Sequence, residues 1–334
     1  NWWKVNKNGA RFDLDAMHVN WLGLSLKCYL PKSENSLSYV WESLKGKISY
    51  CNIKRLMFSS GWRYYAEIVV SGAAPTRVSI GTSTMGIDPG VSTIAGVSED
   101  ACVLEELAPN AIQYEKKIQK ISQSMDRSRR ISNPNKYNED GTINRSNRDP
   151  WKYSKNYVKM CRLLKSLYRK KHAYIVDSHR ELCNKLITIA RYFLVEKMHF
   201  QALQKKAKET RRQEKKTEVK QKDGTVKVIQ KYKRKKRFGR SINRRAPARF
   251  LLELERKVEA VGGVYAEVDT KEFKASQYNH VTDAYEKIPL SQREKEIGKR
   301  KVQRDLYSAF LIRNADLDFK HPDSEKCEYE FEHF

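Results

Sequence analysis

The segment Thr84-Met85-Gly86-Ile87-Asp88-Pro89-Gly90-Val91 constrains this chain more than any other stretch. A short apolar run through Met85 and Ile87 leads to an acid, Asp88. Pro89-Gly90 then supplies a tight turn, and a second apolar run passes through Val91, Ile94 and Val97. Proline presets φ for a turn and glycine takes conformations closed to other residues. The pattern therefore predicts a strand, a turn and a returning antiparallel strand, with Asp88 at the strand mouth. Asp-Pro-Gly is also an ordinary turn tripeptide. The chemical reading depends on finding partners for the acid elsewhere.

Two partners stand in suitable settings. Residues 192–195 form a continuous apolar and aromatic run, as a buried central strand requires, and Glu196 ends it. Asp305 precedes Leu306, Ala309, Phe310 and Ile312, which are spaced to one face of a helix. The acid falls in the first turn, where the helix dipole favours it in any case. Asp269, at the end of the strand-like run 264–268, competes with Asp305 for the third place. Converging carboxylates make an all-oxygen donor set, suited to Mg²⁺ or Mn²⁺ rather than zinc. Two such ions roughly 3.5–4 Å apart can activate a water and stabilise the leaving oxygen of a phosphodiester.

Charge points to the substrate. Lys and Arg number 66 against 40 Asp and Glu, a formal net charge of +26. The excess is concentrated: residues 205–249 carry twenty Lys or Arg and four acids. Such a field attracts polyanions and gives salt-sensitive binding by counterion release. Residues 215–236 have no helical apolar period and a turn signal at Asp223-Gly224, so they read as a mobile basic hairpin that orders on nucleic acid. A membrane is excluded as the polyanion, since neither a basic amphipathic stripe nor an apolar span of about twenty residues occurs. Six cysteines (Cys28, Cys51, Cys102, Cys161, Cys183, Cys327) are scattered singly without a CxxC pair. That predicts reduced thiols, a cytoplasmic and nucleoid-associated protein, and no zinc. Without a signal peptide or initiator Met, Asn1-Trp2-Trp3 reads as the inside of a longer polypeptide.

Along the chain, residues 1–83 read as all-β. Trp62, Tyr64, Ala66, Ile68 and Val70 alternate with Arg63, Tyr65, Glu67 and Val69 after a Ser59-Ser60-Gly61 loop. Trp21, Leu22, Leu24, Leu26 and Tyr29 read as another strand, ending at Pro31. Helical spacing begins at Tyr114 and runs to Met125, followed by a polar loop over 126–149. A second helix carries Tyr157, Met160, Leu164, Leu167, Tyr174, Leu182 and Leu186. Together they predict a helical hairpin over about 109–190, with a basic face of Arg162, Lys165, Arg169, Lys170 and Lys171. Phe250, Leu251, Leu254 and Val258 mark a further amphipathic helix, stopped at Gly262-Gly263.

These pieces together resemble the transposon-encoded TnpB nucleases, RuvC-domain relatives of the type V CRISPR effectors, over nearly the whole chain. GWRYYAEIVV looks like the strand closing the family's β-barrel wedge domain. GIDPG is similar to the first RuvC motif and FLVEKM to the second. GRSINRRAPARFLLELERKVEAVGG resembles the helix that follows, and VQRDLYSAFLIRNA the third motif. The resemblance implies an α/β chain with an RNase H-like (RuvC) nuclease domain at 84–334, preceded by a wedge-type β-barrel domain at 1–83. It implies an RNA-guided, metal-dependent DNA endonuclease with guide RNA and target DNA as partners, two Mg²⁺ or Mn²⁺ ions, and Asp88, Glu196 and Asp305 as the acids. A non-cleaving, repressor-like binder derived from the same family is the alternative.

Two departures stand out. The family's zinc ribbon of paired CxxC motifs has no cysteine in the matching region, about 272–301, although Ser276, Gln277 and Leu290-Ser291-Gln292-Arg293 look like its flanking residues. The family's opening strand and helical recognition part are also missing at the amino end.

Overall fold

The computed structural model describes residues 2–3, 9–72, 74–75, 78–204, 212–221, 224–232, 238–289 and 291–334. Asn1, Asp223, Leu290 and residues 205–211 and 233–237 of the basic stretch, all named above, lie outside the described residues. The chain forms two compact units, residues 1–79 with 110–178, and residues 80–109 with 179–334.

The first unit contains β1 (Trp2–Trp3), β2 (Arg11–Asp13), β3 (His18–Trp21), β4 (Leu24–Lys27), α1 (Glu34–Leu44), β5 (Ile48–Phe58), β6 (Gly61–Val70), α2 (Ala111–Ser132) and most of α3 (Lys155–Ile189). Contrary to expectation, no closed β-barrel forms among the described residues. Among the described residues the strands make two separate three-stranded sheets, β1-β5-β6 and β2-β3-β4, without closure. The single strand expected from Trp21 to Tyr29 is a hairpin. Leu22 and Gly23 both take positive φ (48° and 78°), the backbone of a two-residue turn matching strand twist. Nor is the region all-β. Leu37, Val40, Trp41 and Leu44 recur at helical spacing and make α1, with Leu44 buried.

The helix starting near Tyr114 outlasts the apolar pattern. Residues 126–132, expected as loop, remain in α2, because Asp126 accepts from Arg129 and Arg130 one turn on, at 2.8 Å each. α2 and α3 pack as a helical hairpin, through Tyr114 against Tyr174 (ring centroids 5.8 Å apart) and Lys171 to Glu115 (3.0 Å).

The second unit holds β7 (Ser83–Pro89), β8 (Thr93–Val97), β9 (Cys102–Glu106), the end of α3, β10 (Ala190–Glu196), α4 (Phe200–Gln204), β11 (Arg212–Lys220), β12 (Val226–Tyr232), α5 (Gly239–Arg245), α6 (Pro247–Ala260), β13 (Val264–Val268), α7 (Thr270–Phe273), β14 (Tyr278–Asn279), β15 (Ala284–Tyr285), β16 (Glu294–Ile297), β17 (Arg300–Gln303), α8 (Arg304–Arg313) and α9 (Ser324–Phe331). Its centre is a five-stranded mixed sheet in the order β13-β10-β7-β8-β9. β7, β8 and β9 are an antiparallel meander, while β10 and β13 run parallel to β7.

Side chains alternate across these strands, so the sheet feeds two cores. Met85, Ile87, Phe193 and Val195 face the end of α3 (Cys183, Leu186, Ile187) and α6 (Phe250, Leu254, Val258). Ala95, Val97 and Val268 face Tyr307, Ala309, Phe310 and Ile312 of α8, with Phe273, Tyr278, Ile297 and Cys327. The described residues of the cysteine-free stretch contain two small hairpins, β14–β15 and β16–β17, the last strand reaching Gln303. Buried side chains pin it: Lys295 Nζ donates to the Tyr278 carbonyl (2.5 Å), and His280 Nδ1 hydrogen-bonds Tyr307 Oη (2.8 Å). The basic stretch contains an antiparallel pair, β11 and β12, turning at Gly224 (φ 83°). No described helix is long and apolar enough to cross a membrane.

Candidate active site

Glycine and strand pleat place the acids. Leu194 pairs with Gly86 and Val195 with Ile87 in the parallel register, so the next pair brings Glu196 alongside Asp88 at the strand ends. With Ile87 and Val195 in the α6 core, Asp88 and Glu196 both turn to the α8 face. Gly86 lies two residues before Asp88 on that face. A methyl there would overlap the Ala309 carbonyl oxygen and the Arg313 amide nitrogen, so the absence of a side chain lets α8 lie directly on the β7 backbone. α8 opens where Gln303 Oε1 accepts from the Leu306 N–H (2.6 Å), which sets Asp305 in the first turn above the sheet.

The electrostatics follow. Glu196 is buried (7 % exposed). Burial pushes the Asp88 carboxyl well above its ordinary range, and the negative charges of Glu196 and Asp305 push it further. A hydrogen bond to Glu196 adds to the rise, while the Arg304 guanidinium opposes it. Burial raises Glu196 too, against the hydrogen bond from Asp88. Acids this close titrate as a pair rather than one by one.

Asp305 is close enough for its charge to act on Asp88, yet its own oxygens are engaged elsewhere. Arg304 donates to Oδ1 through Nη2 (2.9 Å) and Nε (3.2 Å). Gln303 Nε2 (3.3 Å) and Arg293 Nη1 (3.4 Å) donate to Oδ2. Accordingly, no three Asp, Glu, His or Cys side chains among the described residues are gathered as a ready metal site. The donor chemistry does fit a hard divalent cation: three carboxylates, with the charges of Glu196 and Asp305 both acting on Asp88, a repulsion a cation would relieve. Asp269, the competing candidate, caps α7 by accepting from the Lys271 N–H (2.7 Å), and it is Asp305 rather than Asp269 whose charge reaches Asp88.

Sequence reasoning missed Arg304, Gln303 and Arg293. The one available signal was Arg304, a cation next to an acid at the start of a helix whose following turns are apolar.

The paired acids predict a pH dependence. A carboxyl raised in the folded chain holds its proton more tightly there than when unfolded. The resulting stabilisation is complete below the ordinary carboxyl range and is lost as pH rises through the raised value. In chelator, melting temperature should fall as pH climbs from about 4 toward neutrality. Asp88→Asn should flatten that slope, and a wild-type profile no steeper than the variant's would show the carboxyls uncoupled.

Neither a protein-family model nor a curated protein matches this chain. Solved structures do. The cryo-EM structure of the Cas12f1–sgRNA–target DNA complex is similar at 13 % identity and a TM-score of 0.49, over 85 % of this chain and 48 % of that one. The cryo-EM structure of a CRISPR-Cas12f ternary complex is similar at 14 % identity and a TM-score of 0.37, over 85 % of this chain and 49 % of that one. This chain thus spans about half the length of these two solved structures.

Proposed function

We propose that this chain is an RNA-guided, metal-dependent DNA endonuclease of the TnpB type, hydrolysing phosphodiesters with Asp88, Glu196 and Asp305. One observation carries the chemistry: the parallel register sets the half-buried Asp88 beside the buried Glu196 at adjacent strand ends, where the charges of Glu196 and Asp305 both act on Asp88. A meander of three strands followed by two parallel strands, in the order β13-β10-β7-β8-β9, supports the RNase H-like (RuvC) reading of the sheet. The RNA guide rests on the motif resemblance, and with it the expectation that base pairing supplies specificity while the protein reads shape and backbone.

Two Mg²⁺ or Mn²⁺ ions held by these acids would supply activation of the attacking water and charge stabilisation at the leaving oxygen. Asp88, on which the charges of both others act, would hold both ions, with Glu196 and Asp305 holding one each. The sheet holds the first two rigidly, and α8 presents the third. No structural zinc takes part in this reading. The deciding experiment is to purify the full-length protein with its RNA, sequence that RNA, and offer matching DNA. Cutting in Mg²⁺ but not in chelator is expected. Specific binding without cutting would favour the repressor-like alternative.

The basic stretch would supply grip rather than specificity. β11 and β12 form their own antiparallel pair, so deleting residues 215–236 should leave the central sheet intact. Matched and unmatched DNA should then bind more weakly alike, and the slope of log affinity against log salt should flatten by roughly 0.7–0.9 for each phosphate no longer neutralised. An unchanged slope would move the grip to the basic face of α3.

A further inference from the structure

The guanidinium of Arg304 is held independently of the acid it contacts. Its Nη1 donates to the Gln292 carbonyl (3.3 Å), its backbone N–H to the Arg293 carbonyl (2.9 Å), and its side chain is only 11 % exposed. Ser308 Oγ donates to its carbonyl (3.1 Å) one turn along α8. Arg293, by contrast, is 67 % exposed on its side chain and reaches Asp305 only at 3.4 Å. Of the cations at this carboxylate, Arg304 is therefore the fixed one. It puts two of its donors on a single oxygen, Oδ1.

A divalent cation binds carboxylate oxygens through lone pairs, and those of Asp305 are taken by Arg304, Arg293 and Gln303. We propose that Arg304 is a positioning residue that holds Asp305 as its counter-ion in the metal-free protein, so that the third acid joins Asp88 and Glu196 only by exchanging a guanidinium for a metal ion. This rests on the proposed metal role of the three acids. The exchange also ties metal binding to the loop before β16, because that loop supplies the Gln292 and Arg293 carbonyls that hold Arg304 in place.

The test is Mn²⁺ binding to the full chain without nucleic acid, read from the electron paramagnetic resonance signal of free Mn²⁺. Arg304→Gln should bind Mn²⁺ more tightly than wild type, by roughly three- to tenfold for removal of a partly buried charged partner. Arg304→Lys should gain less, since an ammonium still neutralises Asp305 without the two-donor geometry. In an Asp305→Ala background the Arg304→Gln gain should vanish. A melting curve confirms that each variant is folded, and Arg304→Lys carries the comparison if Arg304→Gln is not. Unchanged or weaker Mn²⁺ binding in folded Arg304 variants would overturn the positioning role. Asp88→Ala separates the two levels: if it leaves Mn²⁺ binding intact, the metal assignment itself fails and this inference with it. If Asp88→Ala loses binding while Arg304 variants match wild type, only the role of Arg304 is lost.

Discussion

Alanine at Asp88, Glu196 or Asp305 should abolish Mg²⁺-dependent DNA cleavage, by roughly three orders of magnitude or more, the scale of removing a group aimed at transition-state charge. Nucleic-acid affinity should hold or improve, since each change removes a negative charge near phosphates. The three substitutions should not act alike on stability. Burial and the neighbouring Glu196 charge hold the Asp88 carboxyl above its ordinary range, so removing either acid relieves that repulsion. Asp305 is paired with the buried Arg304 and the exposed Arg293, so its loss leaves the Arg304 guanidinium with the Gln292 carbonyl but no counter-ion of its own. Cleavage rates measured beside melting temperatures separate these effects. An active Asp305→Ala enzyme would hand the third role to Asp269, whose carboxylate would first have to leave the Lys271 N–H.

The largest structural effect is expected at Gly86. An added methyl meets the Ala309 carbonyl and the Arg313 amide, which are backbone atoms of α8 and cannot rotate aside. Gly86→Ala must therefore lift α8 off β7, at a cost of about 3 kcal/mol or more, the upper end of overpacking penalties. Because α8 carries Asp305, activity should fall further than the loss of folded protein explains. Gly96→Ala is the control on the same sheet. Its methyl would lie 3.2 Å from the Met85 sulfur, in a flexible side chain that need give by only a few tenths of an ångström, and should be tolerated. Chemical denaturation of both variants, with cleavage per folded molecule, gives the comparison. A Gly86→Ala protein as stable as Gly96→Ala would show that α8 does not rest on the β7 backbone.

What could be read in the sequence was local. Asp-Pro-Gly after Met85 and Ile87 specifies a strand and its return, since turn chemistry acts within four residues and strand alternation within two. The apolar run of β10 and the periodic faces of α3 and α6 were legible for the same reason. Where a second local signal competed, the pattern misled. Leu22-Gly23 sits inside an apolar run yet turns the chain, and α1 is hidden among strand-like aromatics because its apolar face is so short.

The sequence by itself determined which acids stand at element ends: Asp88 and Glu196 at strand mouths, Asp305 in a first helical turn. Tertiary structure alone decided how they meet. The register that sets Glu196 beside Asp88 joins strands far apart along the chain, the seat of α8 depends on a missing side chain at Gly86, and the hold on Asp305 by Arg304 depends on carbonyls at Gln292 and Arg293. That the described strands of residues 1–79 make two separate sheets rather than a closed barrel was likewise a question of pairing between distant strands. Local propensity carries no information about such pairings, because the free energy of each comes from partners brought together only when the chain has folded.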